Sequence, residues 1–209
     1  MKNLEGEHNQ NSDSVHSKET KPCYGMVIDL RRCIGCHACS VACKAENKVP
    51  LSVFRSWVKI TERGAFPNAR RYFLPLLCNH CEHPICVINC PVKASYKRDD
   101  GIVLIDYDKC IGCKYCIASC PYEIRFVNPE RRTVEKCTFC AHRIDKGYLP
   151  SCVNACPTTA RIFGDLNDPD SEVSKLLANN PVQVLKREMG TEPRVFYIGA
   201  DLFAMKERF

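Results

Sequence analysis

The sequence predicts an α+β fold built by internal repetition, and three observations point there. Sixteen of the 17 cysteines fall into four groups of four. The segments "VIDLRRCIGCHAC" (27–39) and "LIDYDKCIGCKYC" (104–116) match, each with an apolar pair, an Asp, three residues and CIGC. Behind Pro91, Pro121 and Pro157, each directly after a group's last cysteine, strand-like segments follow. The repeated unit is a cysteine loop, a short helix, a cysteine, a strand, a turn and a strand.

The elements follow in order. Residues 1–22 are polar and are expected to be a disordered tail. The first group is Cys33, Cys36, Cys39 and Cys43. Gly35 permits the backbone to curl so that three sulfurs share one face, and Gly112 does the same in the third group. The x3 gap puts Cys39 and Cys43 at i and i+4 of a short helix. A proline behind a group's fourth cysteine stops such a helix. Cys43 is followed by Lys44, so this helix is free to run through "KAENKVP" and stop near Pro50. Residues 51–75 read as two strands, "WVKITE" and "YFLPL", around a Gly64/Pro67 loop.

The second group is Cys78, Cys81, Cys86 and Cys90. After it, "VKASYKRDDGIVLID" reads as strand, turn at Asp100–Gly101, strand. The third group is Cys110, Cys113, Cys116 and Cys120, and a second strand pair follows around Asn128–Pro129. The fourth is Cys137, Cys140, Cys152 and Cys156, followed by the strand "TTARIFGDL". Residues 167–209 hold a helix, "DSEVSKLLANN", and a strand, "RVFYIG". They are expected to wrap the body or dock on a partner.

Disulfides, zinc and iron–sulfur clusters compete for this many thiols. Disulfides fit poorly, because the count is odd and C-x2-C spacing aims neighbouring thiols at one small object. Structural zinc uses separate C-x2-C knuckles, whereas C-x2-C-x2-C crowds three ligands together. The run C-x2-C-x2-C-x3-C-P is the bacterial ferredoxin pattern, whose fourth cysteine serves the other cluster of a pair. Four [4Fe–4S] clusters at about −2 each would bring the formal charge of +6 to about −2. The basic excess is thus better read as compensation for cluster charge than as a nucleic-acid surface. No run approaches the ~20 apolar residues of a spanning helix. The N-terminus lacks the apolar stretch of a secretory signal, and Arg31–Arg32 do not form a twin-arginine signal.

With an x4 gap in the second group and x11 between Cys140 and Cys152, the chain resembles the iron–sulfur subunit family of membrane-bound DMSO reductase-type molybdopterin oxidoreductases. It looks most like polysulfide, thiosulfate and tetrathionate reductase subunits, especially in "KCTFCAHRIDKGYLPSCVNACPTTARIFGDLNDP" (136–169). The likeness runs from about Tyr24 to Tyr197. It implies two bacterial ferredoxin-like domains, one nested in the other. The outer would be 23–68 plus 132–166, the inner 69–131, and 167–209 a docking extension.

The resemblance also implies the ligand sets. Cluster one takes Cys33, Cys36, Cys39 and Cys156; cluster two takes Cys137, Cys140, Cys152 and Cys43. Cluster three takes Cys78, Cys81, Cys86 and Cys120; cluster four takes Cys110, Cys113, Cys116 and Cys90. Some relatives carry a [3Fe–4S] cluster where a third-group cysteine is replaced, but all four are present here.

The implied function is electron transfer between a molybdenum or tungsten bis-pterin catalytic subunit and an integral-membrane quinone-interacting subunit. The chain itself would be non-catalytic and peripheral, held at the membrane through its partner subunit, on the periplasmic face by co-export or, as the alternative, in the cytoplasm. A formate dehydrogenase, hydrogenase or sulfite-metabolism complex is the alternative setting. A zinc- or cluster-stabilised nucleic-acid module is the alternative of another class. No nucleophile–base pair or nucleotide fingerprint stands out.

Other residues carry plainer expectations. Cys23 is a spare structural thiol. His37 and His80 pack at the surface or behind the ligands. Lys44, Lys114 and Arg125 are either tuning charges or solvated ones. Tyr115 and Trp57 are expected in the core.

Overall fold

In the computed structural model, which describes residues 21–206, β1 (Tyr24–Asp29) is the central seam. Met26, Val27 and Ile28 are fully buried, with alternate side chains on opposite faces. Met26 and Ile28 enter the main core, and Val27 enters a second one with Ile162, Val173 and Ile198. A strand covered on both faces reads as a continuous apolar run, as "GMVI" does. β1 pairs antiparallel with β8 (Arg161–Asp165) and parallel with β10 (Val195–Ile198). With β9 (Val182–Gln183) the sheet order is β8-β1-β10-β9. The C-terminal segment therefore supplies a strand beside β1. Helix α6 (Glu172–Asn179) covers the second core, and the Ser171 hydroxyl caps it by accepting from the Ser174 N–H at 3.1 Å.

The cysteine groups generate the helices. The first helix, α1 (Ala38–Asn47), continues past Cys43 and ends with Lys48 in the left-handed region, short of Pro50. The others are single turns: α2 (Ile85–Ile88), α3 (Tyr115–Ala118), α4 (Ala141–Ile144) and α5 (Ser151–Asn154). In the three groups with a following proline, the helix stops two residues before Cys90, Cys120 and Cys156. Only Cys43 is a helical fourth cysteine.

Three hairpins complete the body. β2 (Ser56–Arg63) and β3 (Arg70–Leu77) pair along their length on either side of the 64–69 turn, so the hairpin spans the expected domain boundary at 68. Leu74, Leu76 and Leu77 anchor its base, each burial worth about 1.5–3 kcal/mol. The short pairs are β4 (Ser95–Lys97) with β5 (Val103–Ile105), and β6 (Phe126–Val127) with β7 (Val134–Glu135). Gly101 takes the positive φ of the expected Asp100–Gly101 turn. A 3-10 turn (Arg187–Met189) and α7 (Leu202–Lys206) close the chain. Of the expected N-terminal tail, residues 1–20 lie outside the described residues. Lys21 bonds Asp99 at 2.5 Å.

Candidate metal centres

Two helix contacts bring distant cysteines together. Helix α1, bearing Cys39 and Cys43, packs on α5, which bears Cys152 and precedes Cys156. Likewise α2, bearing Cys86, packs on α3, bearing Cys116. Each contact joins two groups, and each is repeated by the internal duplication.

Three cavities lie around these contacts. One, with about 330 Å³ of empty volume, is walled by Cys33, Cys36, Cys39 and Cys156, with Arg161. A second, about 260 Å³, is walled by Cys43, Cys137, Cys140 and Cys152, with Asn47 and Arg55. A third, about 400 Å³, is walled by Cys78, Cys81, Cys86 and Cys120, with Arg125. Of the remaining cysteines, Cys110 and Cys116 join Ile105 and Val134 in a small apolar core, while Cys113 is exposed. Cys90 lies just beyond α2. Cys23 lines none of these cavities and holds Asp165 by its backbone N–H at 2.7 Å.

The loops have one shape. The third residue of the first CxxC in each group has positive φ: Gly35 and Gly112 at 67°, His80 at 43° and Phe139 at 51°. Glycine is required twice over at the first two. A Cβ on Gly35 would meet the Phe73 ring at 2.3 Å, and one on Gly112 the Arg132 carbonyl at 2.7 Å.

A zinc ion binds thiolates at about 2.3 Å and so gathers them tightly. Among the described residues no three His, Cys, Asp or Glu are gathered for a single ion. Each cavity instead draws four cysteines from separate loops to its wall, the donor number of an iron–sulfur cube. Donors face those sulfurs. The Ala94 N–H bonds Cys90 Sγ and the Ala160 N–H bonds Cys156 Sγ, both at 3.2 Å, four residues on from the thiol. Arg125 Nη2 donates to Cys86 Sγ at 2.8 Å. Burial pushes the Cys43 and Cys81 thiols up to about 12 and Cys86 to about 11. At Cys90 burial also pushes upward, but the N–H groups of Ser95, Ala94 and Val92 outweigh it and lower the thiol. Buried thiolates of this kind need a cationic metal to form.

Residues 69–166 match the 4Fe-4S dicluster domain family, and residues 24–45 match the 4Fe-4S binding domain family. A tetrathionate reductase subunit of Salmonella typhimurium is 47% identical over 194 residues, covering 91% of this chain and 78% of that one. This protein belongs to the DMSO reductase iron–sulfur subunit family. Other members are similar along most of their length. A polysulfide reductase subunit of Wolinella succinogenes is 44% identical, covering 84% of this chain and 93% of that one. The arsenate respiratory reductase iron–sulfur subunit of Shewanella sp. strain ANA-3 is 40% identical, covering 83% and 95%. As a member, this chain is an electron-transfer subunit and its cofactors are [4Fe–4S] clusters, with four as the number the cysteine groups accommodate.

The other singled-out residues divide. Arg125 is buried against a sulfur and is no solvated charge. Lys114 is exposed. Lys44 spans the loop after α1, donating to the carbonyls of Pro50 at 2.7 Å and Val53 at 2.8 Å. His37 is exposed, whereas His80 is fully buried. Trp57 packs against the core, but Tyr115 is 59% exposed and does not, because α3 turns it outward beside Cys113.

Sequence reasoning passed over Asn47, Arg55, Lys136, Phe139 and Arg161. A signal existed for Arg161: "CPYEIR" and "CPTTAR" place Arg125 and Arg161 at the same repeat position. Arg55 and Glu135 form a buried ion pair at 3.0 Å, and Lys136 is fully buried, donating to the carbonyls of Val103 and Cys137. Nothing local in the sequence distinguishes these from surface charges.

Proposed function

We propose that this chain passes single electrons along its clusters in the order one, two, three, four. The ligand sets are Cys33, Cys36, Cys39, Cys156; then Cys43, Cys137, Cys140, Cys152; then Cys78, Cys81, Cys86, Cys120; then Cys90, Cys110, Cys113, Cys116. The observation that carries this reading is the composition of the cavity walls, which draw cysteines from groups far apart in sequence. The order is supported by what lies between the sets. Arg161 adjoins the first two and Arg125 the last two. His80 and Phe139 meet between the second and third. The end sets carry the exposed cysteines Cys36 and Cys113, beside the exposed Ile34 and Ile111. Bound clusters would supply one-electron redox chemistry, and the protein spaces them, excludes water and sets each potential.

The proposed domains are an outer unit, 23–68 plus 132–166, around an inner one, 69–131, tied together by the β2–β3 hairpin. The partners are a molybdopterin catalytic subunit at one end and a membrane quinone-interacting subunit at the other. Among the described residues no helix is long and apolar enough to cross a membrane, so attachment would run through that subunit. The periplasmic face is the proposed side. Within 167–209, β10 belongs to the body, and the open groove lined by Val182, Phe196 and Leu202 is the part proposed to dock on a partner. Nucleic-acid binding has no part in the reading, since Arg55, Arg125, Lys136 and Arg161 are buried within the body.

Affinity purification from solubilised membranes tests the assignment. The expected preparation contains a large subunit with molybdenum or tungsten, and about 16 iron atoms per copy of this chain. A chain isolated with zinc and little iron contradicts it.

A further inference from the structure

Arg125 and Arg161 each stand five residues after the fourth cysteine of their group, in "CPYEIR" and "CPTTAR". Arg161 opens β8, and Arg125 directly precedes β6. Both side chains are buried, at 5% and 2% exposure. Neither is ion-paired to a carboxylate among the described residues, unlike Arg55 with Glu135. Arg125 Nη2 donates to Cys86 Sγ at 2.8 Å and Ser95 Oγ at 2.9 Å. Arg161 Nη2 donates to Ser56 Oγ at 3.0 Å. In each guanidinium Nη1 is buried without a hydrogen-bond partner. Arg125 lines the cavity of Cys78, Cys81, Cys86 and Cys120 and also interacts with Cys116. Arg161 lines the cavity of Cys33, Cys36, Cys39 and Cys156 and also interacts with Cys152.

We infer that Arg125 and Arg161 are duplicated redox-positioning residues, one per cluster pair, each lending its charge to both clusters of its own pair. A buried guanidinium with no carboxylate needs an anion, and an orphaned Nη1 beside a sulfur-walled cavity is a donor without an acceptor. A bound anionic cluster meets both needs. Reduction adds one electron and one negative charge to a cluster, so a fixed cation beside it favours the reduced form and raises the potential. The repeat explains why one cation serves two clusters. Ser95 occupies the corresponding place after Cys90 and accepts from Arg125, while Lys48, after Cys43, is exposed at the end of α1.

This inference rests on the ligand sets proposed above, and its test separates the two. The holoprotein and its R125Q, R161Q, R125K and R161K variants are assayed for iron and titrated by EPR at fixed ambient potentials. R161Q is expected to lower two midpoint potentials, those of the clusters lost in C36S and C140S variants. The reduced-to-oxidised ratio of each should fall about tenfold, equivalent to 59 mV for one electron. R125Q should lower the other two. The Lys variants, which keep the charge, should stay near wild type. Full iron with all four potentials unmoved in the Gln variants overturns the inference and leaves the ligand sets standing. A uniform shift of all four, or a Lys variant lowered as far as its Gln counterpart, also overturns it. If one Gln variant fails to hold iron, the Gln variant of the other arginine decides, because it should lower the two potentials of its own pair alone. Signals lost in C36S and C140S that do not correspond to separate clusters would count against the ligand sets instead.

Discussion

The imidazole of His80 lies against the phenyl ring of Phe139, with centroids 3.7 Å apart and planes 22° from parallel. Both residues hold positive φ where the other two loops use glycine, so each loop accepts backbone strain to place a ring there. Phe139 is 1% exposed and lies edge-on to Phe163. Phe139→Ala should therefore cost about 3–5 kcal/mol. Thermal unfolding of the holoprotein measures it, with clusters two and three expected to bleach first.

Gly35 and Gly112 predict a matched pair of failures. Gly35→Ala and Gly112→Ala each add a Cβ with no room at a left-handed position. Each variant should lose about four iron atoms per chain, from cluster one and cluster four respectively. Anaerobic reconstitution with iron analysis checks this.

Asn47 exists as a helical residue because α1 continues past Cys43. Its Nδ2 lies 3.7 Å from Cys43 Sγ and 3.8 Å from Cys140 Sγ, and its Oδ1 accepts from Arg55 at 2.9 Å. Asn47→Ala removes a donor to sulfur, so the potential of that one cluster should fall while the other three hold. It also leaves Arg55 short of an acceptor, at a cost of about 1–3 kcal/mol. A redox titration with a parallel melting curve measures both.

Glu46 ties α1 to α4, accepting from His142 Nε2 and Arg143 Nη1 at 2.8 Å each. The His142 hydrogen bond leads in holding this carboxyl below its ordinary value, and Arg143 adds to it. A carboxylate depressed in the folded state stabilises fully above its unfolded pKa, about 4.3, and the stabilisation is lost as pH falls through the folded value. Glu46→Gln should lose stability near neutral pH and show a flatter decline below about pH 4. Denaturant midpoints measured from pH 3 to 7 check the sign.

Spacing made the cysteine chemistry legible, because a C-x2-C run constrains where three sulfurs point whatever surrounds it. The loop glycines and the extension of α1 were legible for the same local reason: a backbone need and a missing proline. Tyr115 was misread because a single-turn helix gives no periodicity to tell its faces apart. The place of β10 beside β1 was not legible, since a parallel pairing 169 positions apart in register (Met26 with Val195) leaves no local mark. The buried cations Arg55, Lys136 and Arg161 were hidden by the ordinary rule that charges face water.

Cys43→Ala tests most directly whether the first cysteine group is divided between two clusters. EPR spectra of reduced holoprotein carrying C43A, C140S or C36S identify which cluster each change removes. The signal lost in C43A should be the one lost in C140S, with the C36S-sensitive signal intact. If C43A instead removes the C36S-sensitive signal and spares the other, the first group is a single site and the interleaved arrangement is wrong.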